Sequence, residues 1–346
     1  MVTLDQVQAS NAQVAKAYPG GLVAVFAGAT SGIGEIALRN FVQHTTKPRV
    51  YVIGRSQEAC ERLDKDLRSL NPGGDYIFIR SDVSLLRNVD DVCKTIKAKE
   101  TYINVLFMSQ GTLKLNTNTE EGINYLIALT YFGRLRFAAN LLPLLQKASG
   151  LRRIVSAFAG AKEGHLYQDA WKQGQEDKVP MSGARGHAVS MMTLGLEMLA
   201  KRSPDVSFIH DFPGSVATNL IRQESGTLMQ VMKYVFKFVG ALGLSGKFTP
   251  TEEVGERHTF YCTSAKFPPA KGQGASAGVD LPTGVSVAKG VDDQIGSGTY
   301  SVDGQSESAD ANVMKLLAEY RRDGTAEKLW AYTESEWKRV TGTTSI

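Results

Sequence analysis

The chain has 346 residues, 42% hydrophobic and 21% charged, with a net charge of +4, which is enough for one large globular domain with a full core or two small ones. Its basic residues form no dense run, which argues against nucleic acid as a partner. Three cysteines, Cys60, Cys93 and Cys262, lie far apart without metal-ligand spacing, so neither a disulfide framework nor a metal site is expected, and a reducing, cytoplasmic setting fits.

Residues 1–20 are polar and have no apolar core, so they read as an N-terminal extension and not as a secretory signal. Short apolar runs follow at 22–28, 49–54, 76–83, 103–111, 152–160, 206–212 and 299–303, separated by helix-length stretches such as GEIALRNFVQH and NVDDVCKTIKAK. β-rich runs alternating with helices imply βαβ units. The expected fold is therefore α/β, a Rossmann-type doubly wound parallel sheet in a single domain over 21–305. The apolar segment 228–244 carries Lys233 and Lys237 and is shorter than the roughly 20 residues a spanning helix needs. Its polar residues fall on one stripe, so it reads as part of a helical lid, 219–255, over a hydrophobic small molecule or at a subunit contact, and no integral membrane segment is expected. Residues 263–298 read as a surface loop and 306–346 as a C-terminal helical tail.

Directly after the first run comes GATSGIGEIALRNF, with Gly28, Thr30, Ser31, Gly32, Ile33 and Gly34 leading into a helix. Such a turn lets backbone N–H groups approach a pyrophosphate at the positive end of the helix. The second run ends in Gly54 and Arg55, the third in Asp82 and Val83, the fourth in Gly111; farther on, DFPGSVATNL supplies Pro213, Gly214, Val216 and Thr218. Each piece alone could be a turn or a strand end. Together, in this order, they resemble the short-chain dehydrogenase/reductase superfamily over roughly residues 20–305, and in particular its divergent members from fungal natural-product pathways.

The resemblance implies a nicotinamide cofactor held by these residues. An acidic side chain at Gly54 would favour NAD, whereas Arg55 offers a fork for a 2′-phosphate, so NADP(H) is expected. It also implies a serine, tyrosine and lysine that protonate and polarise a carbonyl, supported by an asparagine. Aligned on Gly133, on RRIVSAFAG and on Glu197, those positions hold Thr130, Ala159, Ala184 and Ala188, with Ser156 three residues before Ala159. No Tyr-x-x-x-Lys occurs between residues 160 and 205. His187 and Arg185 are the candidate replacements, with Lys162, His165 and Tyr167 on bordering segments.

Three readings stay open. The protein is an NADP(H)-binding oxidoreductase with a non-standard site, acting on a hydrophobic carbonyl, iminium or conjugated intermediate of polyketide- or alkaloid-type secondary metabolism. It is a cofactor-bound cyclase or isomerase, or it is a non-catalytic NADP sensor. The helix 182–201 is expected to pack through Val189, Met192, Leu196 and Leu199. By resemblance, a homodimer or homotetramer associating through its long helices, the 184–200 stretch included, is expected.

Overall fold

Seven strands pair side by side: β1 (Val23–Ala27), β2 (Arg49–Gly54), β3 (Asp75–Arg80), β4 (Val105–Met108), β5 (Arg153–Ala157), β6 (Ser207–Asp211) and β7 (Thr299–Val302). They form one sheet in the order β3-β2-β1-β4-β5-β6-β7, every neighbouring pair parallel. This is the doubly wound Rossmann-type arrangement, with the order reversing between β1 and β4. The computed structural model describes residues 1–112, 117–172, 178–216, 248–272 and 274–346. Thr218, the apolar segment 228–244 and most of the expected lid lie outside the described residues.

Among the described residues the α-helices are α1 (Leu4–Asn11), α2 (Val14–Ala17), α3 (Gly32–His44), α4 (Gln57–Leu70), α5 (Leu86–Lys97), α6 (Tyr125–Ile127), α7 (Gly133–Lys147), α8 (Gln168–Lys172), α9 (Met181–Arg202), α10 (Thr251–Thr263), α11 (Ala311–Arg322) and α12 (Thr325–Thr341). Their ends follow local chemistry. Ser56 caps α4 by accepting from the Ala59 N–H at 3.2 Å, and Glu121 reaches across to accept the first N–H groups of α5, from Leu86 at 2.6 Å and Arg87 at 3.1 Å. Both faces of the sheet are buried. Val25, Tyr51, Leu106, Ile154 and Phe208 face one core with Leu135, Leu141, Met191 and Leu194, and the alternating Ala24, Phe26, Val50, Phe107, Val155 and Ile209 face the other with Leu38, Phe41 and Leu63.

The N-terminal extension is docked. Val7 and Val14 are fully buried, and Asn11 donates to the Glu256 side chain at 2.6 Å and to its carbonyl at 2.8 Å, fixing α1 against α10. The 263–298 segment is likewise anchored: buried Arg153 in β5 donates to the carbonyls of Phe267, Ser264 and Ala277. Such bonds satisfy main-chain acceptors that a loop over a covered sheet edge would otherwise leave unpaired.

α9 differs from the one-sided packing expected of it, because residues 187–197 are buried without exception. The cover on its outer side is the C-terminal tail. Trp330 and Trp337 are buried, the Trp337 indole donates to the Phe132 carbonyl at 3.3 Å, and Glu197 and Arg202 of α9 pair with Arg321 and Glu334, each at 3.0 Å. A surface to which the resemblance assigns subunit contact is thus occupied within the chain. Replacing Trp337 by alanine should lower unfolding free energy by about 3–5 kcal/mol in urea titrations, as for large aromatic deletions in cores. A loss below about 1 kcal/mol would mean that the tail is not part of the cooperative unit.

Candidate functional site

A cleft of about 540 Å³ opens along the carboxyl edge of the sheet, where β1 and β4 diverge. One end is the turn between β1 and α3. Gly28 has φ +79°, and a Cβ there would overlap the backbone of Gln110, so only glycine permits this approach between the two strand ends. Thr30, Ser31, Gly32, Ile33 and Gly34 line the same end. Ser31 precedes α3 without capping it through its side chain, so the first N–H groups of α3 have no side-chain cap where they border the cleft. This is the geometry that receives an anion at a helix N-terminus.

Gly54, Arg55, Asp82 and Val83 continue the wall. A Cβ on residue 54 would overlap the Thr30 side chain, so this chain has no room there for the acidic residue that an NAD site places. Arg55 is exposed and donates to the Tyr125 hydroxyl at 3.1 Å. A neighbouring depression shares Arg55, Ser81 and Asp82 and adds Arg80. Two guanidinium groups therefore border the adenosine side of the expected cofactor path. Among the described residues, no group of His, Cys, Asp or Glu is placed to hold a metal ion.

The rest of the cleft is largely apolar. Leu126, Leu129, Phe158, Met181, Ala184 and Ala188 line it, with Thr130 in a π-helical turn and Arg185 at the mouth. Thr130 is already engaged, its hydroxyl donating to the Leu126 carbonyl at 2.7 Å. The two alanines assigned to the tyrosine and lysine positions thus face the cleft and bring no reactive group to it. Gly111 and Pro213 line it too.

Other expected residues fall elsewhere. Gly214 and Val216 follow Pro213 but do not line the cleft, and Thr218 is beyond the described residues. At the end of β5 the lining residues are Ala157 and Phe158, while Ala159 is buried and its N–H points to His210 at 3.5 Å. Ser156 is fully buried and bonded to Arg134 at 2.9 Å. His187, expected to face the pocket, is 1% exposed and lies behind it. Its Nδ1 accepts the Tyr167 N–H at 3.1 Å, Tyr167 stands edge-on to it, and burial pushes its pKa down to about 4. A ring in that state is neutral at pH 7. His165 packs on Tyr167, and Lys162 sits over the Phe212 ring at 5.9 Å.

Sequence reasoning missed Gln110, Phe158 and Arg134, all of which line the cleft. Phe158 contacts both the Arg134 guanidinium, 5.7 Å from its centroid, and the His210 ring, stacked at 6.0 Å. Beneath it runs a buried polar layer in which Thr193 joins His210 at 2.8 Å to Glu163 at 2.7 Å. Burial raises the Glu163 pKa and lowers that of His210 to about 3, so desolvation favours the neutral form of both.

The chain is similar to proteins whose folds and names agree with this geometry. Residues 22–167 match the family model described as short chain dehydrogenase. An oxidoreductase of Emericella nidulans is 37% identical, the match covering 97% of this chain and 98% of that protein. A short-chain dehydrogenase/reductase of Stachybotrys chartarum is 27% identical over 95% of this chain and 96% of its own. Among solved structures, the L-sorbose reductase of Gluconobacter frateurii, complexed with NADPH and L-sorbose, superposes with a TM-score of 0.52 at 18% identity, covering 70% of this chain and 89% of that one. With near-complete coverage of its relatives and the family pattern running from the glycine turn through the strand ends, this chain belongs to the short-chain dehydrogenase family.

Proposed function

We propose that the protein is an NADP(H)-dependent oxidoreductase whose substrate is a hydrophobic carbonyl, iminium or conjugated intermediate of secondary metabolism. The observation that carries this reading is the composition of one cleft: an uncapped helix start and Arg55 at one end, an apolar chamber walled by Ala184 and Ala188 at the other. Relatives named as oxidoreductases support the reaction class. In this reading the α3 N-terminus receives the pyrophosphate, Arg55 the 2′-phosphate and Asp82 the adenine side. A bound NADPH supplies hydride at its nicotinamide ring.

The residues of the chamber then exclude water and orient the acceptor. Ala184 and Ala188 offer no proton, and His187 is neutral and turned away, so the chain brings no ordinary acid to the acceptor from these positions. Such a chamber suits an iminium, which hydride converts directly into a neutral amine with no proton required, or a conjugated acceptor, whose enolate takes its proton from water after release. Arg185, exposed at the mouth, is placed to meet an anionic or carbonyl oxygen as the ligand enters.

Three outcomes test this. Incubating the protein with 4-deuterated NADPH and an extract of the pathway's intermediates should leave deuterium in a product. Product formed without label and without NADPH consumption would favour a cyclase or isomerase, and tight NADPH binding with no product at all would favour a sensor. Arg55→Ala should weaken NADPH binding by about tenfold or more while leaving NADH nearly unchanged, as expected for loss of a charge-assisted phosphate contact. Equal losses for both nucleotides would remove Arg55 from the 2′-phosphate.

His187→Gln should keep turnover within about twofold, since its ring is not an acid of the chamber. Its folded pKa of about 4 lies below the ordinary value of 6.5, so between those values the unfolded chain binds more protons and stability falls as pH drops. The variant should therefore lose less stability between pH 6.5 and 4 than the unaltered protein in urea titrations. A large fall in turnover at unchanged cofactor affinity would restore His187 as the acid.

A further inference from the structure

On the wall of the cleft stand two polar groups to which the proposed function gives no task, the Arg134 guanidinium and the Gln110 carboxamide. Arg134 rises from the first turn of α7 and is 1% exposed. Its Nε and Nη2 donate to the Gln110 carbonyl at 3.2 and 2.5 Å, and its Nη1 to the carbonyls of Met108 and Ala157 at 3.2 and 2.9 Å and to Ser156 Oγ at 2.9 Å. Every acceptor is uncharged. Nη2 carries two hydrogens and uses one, so a donor is left over. Among the described residues no carboxylate lies within ion-pair distance; Asp211 acts on this cation only at longer range. Burial lowers the Arg134 pKa to about 9, which still leaves the group charged at neutral pH.

Gln110 makes the matching observation independently. The residue is 5% exposed, and both its Nε2 and its Oε1 are buried without a hydrogen-bond partner. A buried amide without partners and a buried cation without a counter-ion are each costly, and a fold that keeps both on one cavity wall is completed by a ligand that supplies what they lack. The leftover Nη2 hydrogen and the Gln110 Nε2 hydrogens call for an acceptor oxygen; the charge calls for an anionic one; and Leu129, Phe158, Ala184 and Ala188 around them call for an apolar body.

We propose that Arg134 and Gln110 form a subsite for a carboxylate or enolate oxygen of an apolar ligand. The proposal rests on the cleft being a small-molecule site, as read above, but not on hydride transfer, so the two are tested separately. If an oxygen gathers negative charge during reaction, the same pair stabilises it by hydrogen bonds from a preorganised cation, the task that a tyrosine hydroxyl performs in ordinary relatives.

The test uses two probes of one shape, 2-naphthoate and uncharged 2-naphthylmethanol, titrated calorimetrically into the full chain with and without saturating NADP+. The unaltered protein should bind naphthoate about tenfold more tightly or better, with or without NADP+, as a desolvated charge-assisted contact requires. Arg134→Met should erase the preference. Because Arg134 also holds three carbonyls and could be needed for folding, Gln110→Glu provides a second arm. It places a carboxylate beside the cation from within the chain, so it should raise the thermal midpoint and abolish the preference for naphthoate. Four results would overturn the subsite: equal affinity for the two probes, no naphthoate binding, an unchanged preference in Gln110→Glu, or displacement of naphthoate by NADP+, which would hand the pair to the cofactor. Failure of NADP+ to bind would instead strike the cofactor reading and leave the naphthoate comparison standing.

Discussion

At the carboxyl edge of a parallel sheet each strand's last carbonyl needs a donor from beyond the ladder, and in most cases here the residue after a neighbouring strand supplies it, Ser109 to Ala27 and Phe158 to Asp211 among them. In this chain the ends of β4 and β5 meet that constraint through a single side chain, because Arg134 accepts the burden of Met108, Gln110 and Ala157 together. The consequence reaches in two directions. Structurally, α7 is tied to the middle of the sheet at the point where the chain must turn outward from β4 and β5. Chemically, the edge of the cleft gains a permanent cation in a place of low dielectric, where its influence on a ligand is far larger than at a surface.

The glycine turn answers the same edge differently. Gly28 lets the β1 and β4 ends come within backbone contact, and the start of α3 then turns donors toward the cleft where strand carbonyls have run out. Anion-binding character at one end and an arginine at the other follow from one topological fact, the divergence of β1 and β4. What differs between the ends is burial. Arg55 is exposed and held by one hydroxyl contact to Tyr125, whereas Arg134 is buried, bonded to three carbonyls and set against the Phe158 ring.

Much of this was legible in the chain. All seven apolar runs are strands, and the glycine turn, Arg55, Asp82, Ala184 and Ala188 meet in one cleft, because period, turn chemistry and motif order are local signals. The runs end earlier than they read: pairing stops at Arg80, Met108 and Ala157, and the next residues leave the ladder to become the cleft wall. After β5 the wall is as apolar as the core, with Phe158 following Ala157, whereas after β3 and β4 the polar Ser81, Asp82, Ser109 and Gln110 mark where pairing stops. The docking of α1 through Asn11 depends on Glu256, far along the chain, and the burial of α9 on all sides depends on Trp330 and Trp337. His187 looked like a pocket residue because it is one turn from Ala184, yet the helix rotates it toward Tyr167. Arg134 carried little signal, since apart from the Ser156 hydroxyl its partners are main-chain carbonyls, which every sequence has.

If Ala184 and Ala188 stand at the tyrosine and lysine positions, as the resemblance implies, electrostatics links them to Arg134. Ala188 and Arg134 line the same cleft, and both are almost fully buried. A lysine at 188 would add a second cation to a chamber that already holds one without a contacting carboxylate among the described residues, and like charges in low dielectric disfavour each other strongly. An alanine there relieves that repulsion and leaves the space apolar. Under the proposed function the chamber offers a fixed positive charge in place of a mobile proton, suited to holding an anionic oxygen and not to protonating it from within. Substrates whose reaction begins with an electrophile already formed, or whose negative charge is shared over a conjugated system, are the ones such a chamber favours.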